Sequence, residues 1–156
     1  MSALAVVRIR GQMRLRHRHK MTMESLNLTR ANHCVVVPQT PDVEGMVHHV
    51  KDLVTFGPAT AVTVERLLRE RGRLVGDRPL TDAHVKEHTD FASIKELAAA
   101  IAEGTFRYKD VAEVKPLFRL SPPRKGFKGG VKRSWQAHGA LGNRGEAIDE
   151  LIGRML

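Results

Sequence analysis

Residues 3–10, Ala-Leu-Ala-Val-Val-Arg-Ile-Arg, alternate in the manner of a β-strand whose two faces both begin apolar. Ala5, Val7 and Ile9 share one face; Leu4 and Val6 share the other, which turns basic at Arg8 and Arg10. A strand that is apolar on both sides leaves one row of side chains in water wherever a face is uncovered. This one therefore belongs at the centre of its sheet.

The pattern that follows is compatible with that placement. A helix is expected over roughly His19 to Leu28, on the weak evidence of Met23 and Leu26 three apart. Cys34-Val35-Val36-Val37 reads as a buried strand closed by Pro38, completing a β-α-β unit whose crossover should be right-handed. Thr40 has the character of an N-cap, with Pro41 at the first helical position and Asp42 and Glu44 complementing the positive helix end. Val43, Met46, Val47 and Val50 then recur at the spacing of a packed helical face. Leu53 to Phe56 forms a third strand, stopped by Gly57-Pro58.

The second half is more helical. Thr60 opens a helix carrying Val64, Leu67 and Leu68 that Gly72 ends, and Thr81 opens a short one. Ser93 and Glu96 have capping-box spacing before Ile94, Leu97 and Ile101, and Gly104 ends that helix. Pro116 to Leu120 suits a short strand. Asn143 and Glu146 repeat the capping-box spacing before a last helix that buries Ile148, Leu151, Ile152 and Met155.

Charge is distributed in blocks. Residues 1–20 hold six basic residues and no acidic one: Arg8, Arg10, Arg14, Arg16, Arg18 and Lys20. Residues 115–133 hold seven and none: Lys115, Arg119, Arg124, Lys125, Lys128, Lys132 and Arg133. The stretch 41–114 holds 10 basic against 13 acidic residues, so the two clusters carry more than the whole net charge of +9. A single charge run is usually a solvated face. Two acid-free clusters on an otherwise balanced chain point to a polyanion, nucleic acid before anionic membrane. Gly126, Gly129 and Gly130 allow close backbone approach and Pro122-Pro123 stiffens it, which suits an irregular RNA surface better than a DNA groove. Residues 121–142 contain few large apolar groups, so this loop is expected to be mobile alone and ordered on RNA.

Catalytic readings find little support. His84-Val-Lys-Glu87-His88 matches H-x-x-E-H, a zinc-peptidase spacing, but it reads more simply as a polar surface turn with no marked third ligand. The single cysteine, Cys34, sits in an apolar run and reads as a small buried hydrophobe. His17 and His19 lie in a basic run that repels metal, and His48-His49 flank an apolar stripe. No phosphate-binding glycine loop and no G-x-S-x-G is present. Trp135 could stack on a base or pack on its own protein. The chain is expected to be a cytoplasmic binding protein, with no enzyme activity, cofactor, metal or small-molecule substrate.

Taken in order, several segments also resemble one family. His19-Lys20, Asn32-His33-Cys34, Thr40-Pro41 and Gly45-Met46 resemble the core of the universal large-subunit ribosomal protein numbered thirty in bacteria and archaea and seven in eukaryotes. Phe56-Gly57, His88-Thr89, Phe118-Arg119-Leu120, Pro122-Pro123-Arg124, Gly126-Phe127 and Gly139-x-Leu141-Gly142 resemble its archaeal and eukaryotic branch. The eukaryotic members' long basic N-terminal extension is absent, so the archaeal type is the better match.

The resemblance implies an α+β fold with a β-α-β-α-β core over 1–57 and a three-stranded antiparallel or mixed sheet, similar to a ferredoxin-like fold. Residues 58–156 would form the branch-specific extension, with the basic loop 121–142 and the C-terminal helix. It implies a structural role in the ribosome, bound to large-subunit rRNA beside neighbouring ribosomal proteins, and a place near 5S rRNA that helps to fix its orientation. Arg8, Arg10, Arg14, Arg16, Arg18, His19 and Lys20 would grip phosphates from one side, and Arg119, Arg124, Lys125, Lys128, Lys132 and Arg133 from the other. Asn32, His33, Thr40 and Gly45 would line the core contact. Where the family often has Arg before the Gly-Met pair, this chain has Glu44. A carboxylate there repels phosphate and must face elsewhere or reach a base or ribose hydroxyl.

Overall fold

The computed structural model describes residues 2–156. Strand β1 (Ala3–Arg8) is followed by α1 (His17–Ser25), β2 (His33–Pro38), α2 (Pro41–His49) and β3 (Val54–Pro58). Helices α3 (Ala61–Arg71), α4 (Asp82–His88) and α5 (Ile94–Ala102) come next. Two-residue strands β4 (Phe118–Arg119) and β5 (Gly142–Asn143) flank the basic loop, and α6 (Ala147–Met155) ends the chain. The sheet order is β4-β2-β1-β3-β5, with β1 in the middle.

Every residue of β1 is buried, and its alternation divides the core in two. Ala3, Ala5 and Val7 pack with α3, α5 and α6 through Leu67, Leu97, Ile148 and Leu151. Leu4 and Val6 pack with α1 and α2 through Met23, Val47 and Val50. The second half of the chain thus covers the sheet face that the first half leaves bare.

The core order is the ferredoxin-like β-α-β-α-β. The pairing departs from the sequence reading in one respect. β1 runs antiparallel to both neighbours, with Val7 opposite Cys34 and Val6 opposite Phe56. The first β-α-β unit is therefore not a parallel crossover, and the handedness rule for parallel strands does not govern it. The parallel pair is β2 and β3, joined by α2 with β1 between them. The sheet also has five strands, because β4 joins β2 and β5 joins β3 in parallel.

Local details show which signals held. Thr40, Thr60, Thr81 and Ser93 each accept a hydrogen bond from the amide three residues on, all at 3.4 Å. Gly57-Pro58 does not stop β3: Gly57 pairs with Ala5 and Pro58 with Leu4. A Cβ on Gly57 would fall 2.2 Å from the Gly145 carbonyl oxygen, so glycine there admits the turn into α6. Gly72 is not a left-handed cap, since its φ is −61°. Asn143 and Glu146 form no capping box. Asn143 Oδ1 instead accepts from the Gly145 amide at 2.9 Å, and α6 starts without a side-chain cap.

Cys34 is fully buried and burial pushes its thiol pKa up to about 12, which makes it inert as a nucleophile. The polar-surface reading of the His84 segment is corrected. His84 is buried, stacked on His88 with ring centroids 4.2 Å apart, and neither of its ring nitrogens has a hydrogen-bond partner. Among the described residues no three His, Cys, Asp or Glu side chains converge as a metal site.

Burial holds both His33 and His84 below the ordinary imidazole pKa. Arg119, Arg30 and Arg8 push His33 further down; His88 does the same to His84, partly opposed by Glu113. The folded protein therefore refuses protons that the unfolded chain accepts below about pH 6.5. The stability this contributes is full above that pH and is lost as the pH falls below it. The urea midpoint should drop between pH 7 and pH 5. His84→Phe, which keeps the stack on His88 and cannot be protonated, should reduce that drop. An unchanged acid slope in the variant would remove His84 as a contributor.

Candidate nucleic-acid interface

Antiparallel pairing gathers both basic clusters at one end of the sheet. At that end β1 finishes at Arg8 opposite Val54, β2 starts at His33 opposite Arg119, and β5 starts at Gly142 opposite Thr55. The segment after β1 and the loop between β4 and β5 therefore leave the core side by side. Ile9 packs with Ala140, Leu141 and Phe127, which joins the root of the first cluster to the base of the second.

Residues 10–20 run along the surface here. Arg10, Arg14, Arg16, Arg18 and Lys20 are exposed, and His19 is half-buried with its ring edge against His49, centroids 4.7 Å apart. The start of α1 is electrostatically unusual. Its N-cap is Arg16 with no side-chain cap bond, its first turn has no acidic residue, and His17, Arg18, His19 and Lys20 occupy it. Cations at a helix N-terminus oppose the macrodipole, and unsatisfied N–H groups there favour an anion. An open groove of about 580 Å³, lined by Arg10, Arg14, Arg16, His19 and His49, lies beside this helix end.

The second cluster sits on a loop tied down at both roots. The Ser121 and Arg124 amides donate to the Met155 and Arg154 carbonyls, and Arg154 Nη1 donates to Gly126 O at 2.9 Å. Arg144, buried, donates to Thr55 Oγ1 at 3.2 Å and to Ala140 O at 3.1 Å. Between these ties Arg124, Lys125, Lys128, Lys132 and Arg133 are exposed. Lys128 has a distant carboxylate, Glu150, at 3.7 Å. A second groove of about 650 Å³ lies between α2, β3 and this loop, and Asp52 lines both grooves.

Several expected contact residues have other work. Arg8 is only 1% exposed. Its Nη1 donates to Leu28 O at 2.5 Å and its Nε to Arg10 O at 2.8 Å, so it ties the exit of α1 to the strand instead of gripping phosphate. His33 is buried, 3.3 Å from Thr29 Oγ1, and neutral at pH 7 for the reasons above, so it is no cation for phosphate. Asn32 holds a left-handed turn at φ 66°, its amide donating to Arg8 O and its carbonyl accepting from Leu120. Arg119 pairs with Asp77 at 3.3 Å, and Lys115 bonds the same carboxylate, which holds it below the ordinary aspartate pKa.

Thr40 is spent as an N-cap and stands beyond Pro38, the end of β2 that lies about 17 Å from His33 at roughly 3.3 Å per residue. Gly45 is exposed on α2 with open space where a Cβ would be. Nothing within the protein requires a glycine there, although one in a helix costs roughly 1 kcal/mol relative to Ala. The sequence reading missed Arg144 and the role of α2 and Phe56 in the second groove. Folding, not local pattern, brings these together.

The sequence model described as "Ribosomal protein L30p/L7e" matches residues 4–54, the span from β1 to the first residue of β3. The large ribosomal subunit protein uL30 of Methanoculleus marisnigri is 47% identical over 151 residues, 97% of this chain and 98% of that protein. The protein of the same name from Archaeoglobus fulgidus is 46% identical over 151 residues with the same coverage. That from Methanosphaera stadtmanae is 43% identical over 152 residues, covering 97% of this chain and 99% of it.

Two classes of arginine should separate on mutation. Arg8→Ala leaves two carbonyls unsatisfied and a cavity under α1, and should destabilise the fold by about 2–4 kcal/mol in urea. Arg16→Ala and Arg18→Ala should stay within about 0.5 kcal/mol of the parent. Equal stability across all three variants would contradict the structural role of Arg8.

Proposed function

Since the chain belongs to the Ribosomal protein L30p/L7e family, a structural constituent of the large ribosomal subunit and not an enzyme, we propose that it binds large-subunit rRNA through the sheet end just described. The observation that carries this reading is a set of cations left without carboxylates. Arg10, Arg14, Arg16, Arg18, Arg124, Lys125, Lys132 and Arg133 are exposed, have no ion-pair partner among the described residues and belong to the two segments that leave the sheet at one end. Phosphates are the natural counter-charge for such a surface.

Two roots give the surface two arms. The segment 10–20 presents the capless end of α1, and the loop 121–142 reaches from the other side of Ile9. On the resemblance to the archaeal branch alone, we further propose a role in orienting 5S rRNA within the subunit, next to neighbouring ribosomal proteins. Large subunits reconstituted without this protein should then retain less 5S rRNA, and undiminished retention would remove that role.

Binding to rRNA should be steeply salt-dependent. Eight unpaired cations would make on the order of 6–10 phosphate contacts, and affinity should fall by about a thousandfold or more between 50 and 200 mM salt. A flat titration would end the electrostatic reading.

The stretch 127–133 of the loop has exposed cations and little apolar burial between its anchored roots. Trypsin should cut the free protein first at Lys128, Lys132 and Arg133, and much more slowly in the subunit. Equal protection in both states would show that the loop is ordered by its own protein.

A further inference from the structure

The groove between α2, β3 and the basic loop differs in chemistry from the phosphate-facing surface around it. Its walls include the aromatic or aliphatic groups Phe56, Trp135 and Leu141 and the polar groups Glu44, Lys51 and Asn143. Its volume of about 650 Å³ lies in the range of small-molecule sites.

Trp135 is the chain's single tryptophan and is 37% exposed. The Arg144 guanidinium carbon lies 4.4 Å from its ring centroid, and Arg144 is itself held by Thr55 and Ala140. One π-face is thus backed by a fixed cation, and the ring still borders the groove. Trp135 opens the 3-10 turn of residues 135–137, two residues after Arg133, and lines the groove, so a strand whose phosphates meet Lys132 and Arg133 passes the groove's mouth.

Glu44 decides against a phosphate inside. Gln39 Nε2 donates to Glu44 Oε1 at 2.6 Å, which fixes the carboxylate and leaves Oε2 as an acceptor. Asp52 adds a second negative charge to the same wall. These groups repel a phosphate and accept from the amino or imino edge of a base. Open space at Gly45, the next residue on α2, lets the nucleic acid backbone come close.

We propose that this groove takes one unpaired RNA base, stacked on Trp135 with its N–H edge toward Glu44. The proposal rests on the rRNA-binding reading and extends it from phosphate contact to base capture. It gives the departure from the family's basic residue at position 44 a function, since a donor edge replaces a phosphate as what that position meets. Aromatic stacking of a splayed base is how single-stranded RNA is commonly held.

The test uses the intrinsic emission of Trp135 in the full-length protein at 50 mM salt. Three probes are added: deproteinised large-subunit rRNA, hexa-adenylate, and an abasic ribose-phosphate hexamer of equal charge. Filter binding is read in parallel. rRNA and hexa-adenylate should bind, quench Trp135 and shield it from acrylamide, while the abasic hexamer should leave emission unchanged. Trp135→Leu should weaken hexa-adenylate binding roughly tenfold and Trp135→Phe by no more than about threefold. Binding of rRNA with unaltered Trp135 emission, or equal quenching by the abasic hexamer, would overturn the base site and leave the phosphate surface standing. Failure of rRNA to bind at all would overturn both.

Discussion

Strand β1 has neither a free edge nor a free face. It is hydrogen-bonded to β2 on one side and β3 on the other, and its alternate side chains feed two separate cores. A one-residue slip would exchange Ala3, Ala5 and Val7 for Leu4, Val6 and Arg8 on the face beneath α3, α5 and α6, moving every side chain to the wrong core. Register is therefore fixed by packing on both sides at once. Because β1 is antiparallel to both neighbours, its end coincides with the starts of β2 and β3. Chain segments distant in sequence then emerge at one place, which is how residues 10–20 and 121–142 come to share a surface.

The rigid sheet also explains how the protein tolerates so much uncompensated charge. Cations in the first turn of α1 and without partners on the loop lower stability, and a fold held only by local helix propensity would fray there. Here Met23 and Leu26 anchor α1 in the core, and Arg154 and Arg144 tie the loop roots to carbonyls. The exposed charges are left free of internal partners by a scaffold that does not need them. Along α3, by contrast, Arg66 and Arg69 do have partners, in the Arg66–Glu70 and Arg69–Glu65 pairs.

Much of the fold was legible because helix starts and apolar periodicity are local. Thr40-Pro41, Thr60, Thr81 and Ser93 mark helix starts correctly, and the central place of β1 follows from its two apolar faces. Strand direction was not legible: a helix between two strands fits either orientation, and only the position of β3 against β1 decides it. Strand β5, two residues long and glycine-initiated, carries no periodicity at all. The burial of His84 was hidden for a related reason. Its helix has one other buried residue, Val85, and the cover over the ring comes from the fold around it.

The candidate site divides along the same line. Clusters of charge are visible in a sequence, but which arginine is structural is set by where a strand ends. Arg8 belonged with Arg10 by charge and with Leu4 and Val6 by parity, and parity governs because β1 continues through residue 8. A strand covered on both faces has no wet side for a cation, so a basic residue inside its span must find acceptors indoors. Arg8 finds the carbonyls of Leu28 and Arg10. Arg144 does likewise with Ala140 and Thr55 just beyond β5. These two buried arginines brace the same end of the sheet, Arg8 at the end of β1 and Arg144 against Thr55 of β3. The cations free to meet a polyanion are the ones that begin where the strands stop, at Arg10 after β1 and at Arg124 after β4.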